Sequence, residues 1–164
     1  MTLGLPSSLV YNLKREPEQK SQFVATALML AFLLGGVAIL LGVVMMPYWL
    51  AQYSQQTIWL AQVMMWHAPL CTLILVGRGA FEARGSFGNS NATFLFTPLL
   101  GLFGLVVLML TGTMTPFRAA LTYTLNGVPV LIWTLIRLWR DFQIAWLGWD
   151  GWRNSIRALL PYGI

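Results

Sequence analysis

Charge is scarce in this chain. Of 164 residues only 9% are Asp, Glu, Lys or Arg, while 57% are hydrophobic; a soluble chain averages about 25% and roughly 45–50%. Fifteen charged residues cannot cover the surface of a water-soluble fold of this size. Composition therefore argues against a soluble enzyme, a disordered chain and a nucleic-acid binder. Cysteine and histidine occur once each, as Cys71 and His67. One thiol excludes an internal disulfide and a paired-cysteine oxidoreductase. One histidine excludes bis-histidine haem within a single chain. Cys71, one turn beyond His67, raises the count to two where zinc takes four ligands. The acidic residues Glu16, Glu18, Glu82, Asp141 and Asp150 are scattered, and none falls inside an apolar run. That leaves no acidic cluster for a metal-dependent lipid transferase, no carboxylate at membrane depth and no acid beside His67 for a serine hydrolase. The expectation is a chain without catalysis, metal or cofactor.

What is present is apolar length. A hydrocarbon core about 30 Å thick needs about 20 apolar residues of helix. Four stretches qualify, at about 23–46, 58–76, 94–110 and 119–136. The fold class is all-α: a four-helix transmembrane bundle, residues 23–138, between an N-terminal tail (1–22) and a C-terminal segment (139–164). The polar tail holds Lys14, Arg15, Glu16, Glu18 and Lys20, and the run after it is too long for a cleavable signal. No internal repeat is visible. Nine of the ten basic residues flank the spans on the side of the termini; only Arg118 falls on the other. By the positive-inside rule both termini are cytoplasmic, which suits a bacterial inner membrane or another energy-transducing membrane.

Beyond the fourth span, Ala145, Trp149, Trp152, Ile156 and Leu159 recur at spacings of four, three, four and three, on one helical face. With Trp146 alongside and Arg153 and Arg157 on the flanks, the pattern predicts an amphipathic helix on the membrane surface. Packing against protein is the alternative.

Two constellations lie inside the spans. Ala27, Ala31, Gly35, Ala38 and Gly42 make a stripe of small residues along the first, and Thr97, Gly101 and Gly104 repeat it more weakly in the third. Small residues let helix backbones approach closely in lipid, against the chain's own spans or against another subunit. The second constellation is polar: Gln62, His67, Tyr123 and Asn126 fall in the outer half of the second and fourth spans, near Pro69 and Pro129. A histidine at mid-membrane is a functional candidate, and proline-broken helices can line a transport site or be simple kinks. Residues 77–88, with four glycines and two arginines, read as a basic loop without a phosphate-loop ending. The sequon at Asn91 lies against the membrane.

Together these features point to a non-catalytic membrane subunit whose partners are other membrane subunits and the lipid bilayer, with no nucleic acid. The alternative is a small transporter or pore lined by the polar quartet.

Overall fold

The computed structural model describes residues 4–144 and 149–159. Its elements are all helical: α1 (Leu5–Arg15), a 3-10 turn (Pro17–Gln19), α2 (Lys20–Trp49), α3 (Gln55–Met64), α4 (His67–Ala83), α5 (Phe87–Leu110), α6 (Pro116–Leu125), α7 (Gly127–Phe142) and α8 (Trp149–Leu159). Four stretches are long and apolar enough to cross a membrane: α2, α3 with α4, α5, and α6 with α7. Only 11% of the apolar window of α2 or of α5 is buried in protein, so most of that surface requires an apolar solvent or a partner.

Helices α1 and α8 pack on each other and on α2, and the hydrophobic core cluster gathers there. Helix α1 starts at Gly4, whose φ of 68° suits glycine, and carries Pro6 in its first turn. Leu5, Leu9 and Leu13 recur every four residues and are buried against α4. At Gly79 of α4 a β-carbon would lie 3.2 Å from the Pro6 backbone, so glycine is what lets α1 settle there. Glu16, ahead of Pro17, leaves the helical region and turns the chain into α2. Phe23, Val24, Ala27 and Ala31 of α2, Val76, Ala80 and Phe81 of α4 and Leu138 and Phe142 of α7 join the three leucines in one cluster. Helix α8 packs on α1 and α2 and adds Leu159; its carbonyl accepts a hydrogen bond from Ser8 Oγ at 2.7 Å. Trp152 and Ile156 are half-buried, while Arg153 and Arg157 are exposed. Ala145, Trp146 and the side chain of Trp149 lie outside the described residues.

The basic loop expected over residues 77–88 is mostly helix. Helix α4 continues to Ala83 and α5 begins at Phe87, leaving a turn at residues 84–86 in which Gly85 has φ 78°. Two of the four glycines read there as loop markers, Gly77 and Gly79, are packing residues: a β-carbon on Gly77 would overlap the Thr134 methyl of α7. The tail before the first span is likewise structured, as α1. Thr93 of the sequon is fully buried within α5.

The four candidate spans form two hairpins of one design. A continuous helix (α2, α5) leads through a five-residue turn (50–54, 111–115) to a broken one. Ser54 and Thr115 cap the broken helices, accepting from the Thr57 and Arg118 backbone N–H respectively. Each break is followed by a proline in the first turn of the next helix, Pro69 in α4 and Pro129 in α7. Proline has no N–H to give the carbonyl four residues back. At Pro69 the chain tightens to three-residue bonds, and the Met65 carbonyl accepts from the Ala68 N–H at 3.0 Å instead. The sequence shows no repeat because the two hairpins share an architecture rather than residues.

Candidate functional site

The breaks of the second and fourth spans meet. Helix α3 packs on α6 and α4 on α7, and His67, first residue of α4, reaches across the junction. Its Nδ1 donates to the Thr124 carbonyl at 3.3 Å, which assigns the proton to that nitrogen. The imidazole lies 5.3 Å from the Tyr123 ring, tilted by 39°, and a β-carbon on Gly127 would sit 3.7 Å from its Cε1. The histidine thus sits against the break between α6 and α7.

The other two members of the predicted quartet go elsewhere. Gln62 turns back to the first span, where its Nε2 donates to the Val43 carbonyl at 3.0 Å. Asn126 is 8% exposed, with its carboxamide against Gly101 of α5 and Oδ1 without a hydrogen-bond partner. His67 and Tyr123 are brought together; Gln62 and Asn126 serve different helix contacts. Cys71 is a free, half-buried thiol, and the described residues contain no group of three or more metal-ligating side chains.

The small residues mark the continuous helices where they face the breaks. At Gly35 a β-carbon would overlap the Pro69 Cα, and at Gly101 it would overlap the Asn126 amide. Ala27 and Ala31 are buried, with the Ala31 carbonyl accepting from Thr72 Oγ1 at 3.0 Å. Gly42 faces Met65 and Gly104 faces Thr122. Ala38 is exposed. The chain matches no protein-family model, and no curated protein or solved structure is significantly similar to it. Function therefore has to be argued from these contacts.

Thr124 and Gly127 were missed in the sequence because the first contributes a backbone carbonyl and the second the lack of a side chain. Pro129 frees the carbonyl of Leu125, one residue further on, so it points to the neighbourhood and not to Thr124 itself. Replacing His67 with glutamine is expected to leave the bundle folded and to cost about 0.6 kcal/mol, with an upper end near 1.7, the range of one interhelical hydrogen bond. Thermal unfolding in detergent measures it. A loss well beyond that range would mean that the imidazole holds more than this bond.

Proposed function

We propose that the chain is a non-catalytic, multi-pass membrane subunit of a larger assembly, with α2 as its docking helix. The observation that carries this is the one-sided packing of α2. Its residues from Phe23 to Gly35 include six that are buried, whereas none from Gly36 to Trp49 is. Gly36 faces open space, Ala38 is exposed, and Leu40, Leu41 and Val44 stand out at 60–68% exposure. Small residues beside large apolar ones suit close approach by another transmembrane helix. The partners are other membrane subunits and the bilayer. Catalysis has little support, since His67 is engaged with a backbone carbonyl.

In this reading both termini are cytoplasmic, from the nine-to-one division of basic residues. Helix α8 lies along that membrane surface with Arg153 and Arg157 towards the headgroups. The membrane is a bacterial inner membrane or another energy-transducing one. A cysteine placed at Ser54, in a Cys71→Ser background, is expected to react with impermeant reagents only from outside; labelling only from the cytoplasm would invert the topology.

Native-size analysis after extraction in mild detergent tests the subunit reading. The chain is expected to migrate in a complex well above its own 18.4 kDa plus detergent, and Gly36→Leu to release it without unfolding. Migration as a lone monomer from its native membrane would refute the proposal. One observation favours a small transporter as the second reading: the paired bends lie at one depth, joined through His67. Normal assembly of His67→Gln with complete loss of function would select it.

A further inference from the structure

We propose that the groove between α5 and α7 seats one acyl chain of an anionic phospholipid whose phosphate is held by Arg137 and Arg140. The inference rests on the membrane-embedded reading and concerns the leaflet on the side of the termini.

The groove has a volume of about 310 Å³ and is lined by Phe96, Leu100, Pro129, Val130 and Trp133. All five are apolar or aromatic, as a hydrocarbon chain requires. Trp133 also meets Phe81 of α4, ring centroids 6.2 Å apart, which holds this wall of the groove in place. On α7 the positions 130, 133, 137 and 140 recur at three, four and three, so they share one face. That face runs from the wall of the groove directly into two arginines. Val130 to Arg140 spans roughly 15 Å of helix axis, half of a hydrocarbon core about 30 Å thick. The groove thus begins near the midplane and its cationic end falls at headgroup level.

Charge selects the occupant. The Arg137 guanidinium lies 5.8 Å from the centre of the Trp133 ring, at the mouth of the groove. Among the described residues, Glu82 is engaged by Arg78 at 3.6 Å and Asp141 by Arg84 at 3.0 Å, and neither Arg137 nor Arg140 makes an ion pair. Both are exposed. Across the groove, Asn89 and Ala92 precede Phe96 by seven and four residues on the same face of α5. They present an amide and a methyl, which leaves room and no negative charge. An apolar helix from a partner would fill the groove but leave both guanidiniums unmatched. A phosphodiester with an acyl tail satisfies both ends, since guanidinium forks match phosphate oxygens and basic pockets between spans take anionic headgroups.

Native mass spectrometry of the detergent-purified chain, titrated with phosphatidylglycerol or phosphatidylcholine of identical chains, tests this. One phosphatidylglycerol should be retained in preference. Arg137→Gln with Arg140→Gln should cost phosphatidylglycerol roughly fivefold in affinity per arginine and about thirtyfold together, and should cost phosphatidylcholine less, because its own choline ammonium already offsets the phosphate charge. Leu100→Trp, which fills the groove, should weaken both lipids, and inorganic phosphate should not compete. Circular dichroism checks that each variant is folded. Equal retention of the two lipids by the unaltered chain, an undiminished preference in the double variant, or full competition by phosphate would each overturn the site. Carbonate extraction of native membranes tests the membrane reading separately: release of the chain would sink that reading, whereas retention with no lipid preference sinks only the site.

Discussion

Replacing Gly35 with leucine is expected to separate the first hairpin, while the same change at Gly36 leaves the fold intact. A β-carbon at position 35 would overlap the Pro69 Cα, with the Pro69 Cβ at 2.6 Å and its N at 3.0 Å. Those atoms belong to the backbone and ring of a residue that itself sets a bend, so they cannot swing aside as a flexible side chain could. Helices α2 and α4 must part. Two hydrogen bonds flank this contact along α2, Thr72 Oγ1 to the Ala31 carbonyl and Gln62 Nε2 to the Val43 carbonyl, each 3.0 Å. Overpacking costs about 1–3 kcal/mol, and each interhelical hydrogen bond lost adds about 0.6, so Gly35→Leu should destabilise by roughly 2–4 kcal/mol. At Gly36 no atom of another described segment lies within 4 Å of the new β-carbon. The adjacent pair thus separates contacts inside the chain from contacts outside it. Thermal unfolding and native size are both read for both variants. Matching unfolding temperatures would show that α2 does not rest on Pro69 as described.

The four helical stretches long and apolar enough to cross a membrane were legible because long uncharged runs have few other outcomes. Their ends were less so. Gly77 and Gly79 resemble loop residues in one dimension, and only the approach of Thr134 and Pro6 explains why a helix keeps them. Pro69 and Pro129 marked the bends, since a missing N–H acts locally, whereas Pro47 and Pro98 lie inside α2 and α5 without ending them. What fills a bend depends on another span, so His67 and Tyr123 were foreseeable as neighbours while the Thr124 carbonyl was not. Gln62 was grouped with His67 by depth alone; depth does not give the direction around a helix, and Gln62 points to Val43. The small-residue stripe identified a packing face but not its neighbour, because glycine permits approach by any helix. It takes the Pro69 contact to assign Gly35 to the chain's own second span. The repeated hairpin left no trace in residue identity; what recurs is a cap, a break and a proline, three features that many sequences satisfy.

The N-terminal helix carried its own signal: leucines at 5, 9 and 13, Pro6 in the first turn, Lys14 and Arg15 in the last. That signal is overshadowed by the charges around it. Its removal is expected to matter as much as any change within the spans. Leu9 is wholly buried, in a cluster that also holds Ala80 and Phe81 of α4 and Leu138 of α7. Helix α1 precedes the first candidate span, and docking from water makes burial of its leucines favourable as in a soluble core. Leu9→Ala should therefore cost about 2–5 kcal/mol of docking free energy, transfer and cavity terms together. Most of a short helix's stability in water comes from such packing, so α1 should detach and unravel rather than shift. The bond from Ser8 Oγ to the Leu159 carbonyl then goes with it, loosening α8. Limited trypsin digestion reads this directly, at Lys14 and Arg15: cleavage should be at least tenfold faster in Leu9→Ala, with the spans untouched. Gly79→Val presses on the same contact from the α4 side, where the Pro6 backbone lies 3.2 Å from the added carbon. The two substitutions act on one docking event, so their effects should combine less than additively. A Leu9→Ala chain cleaved no faster than the parent would show that α1 does not depend on this seat.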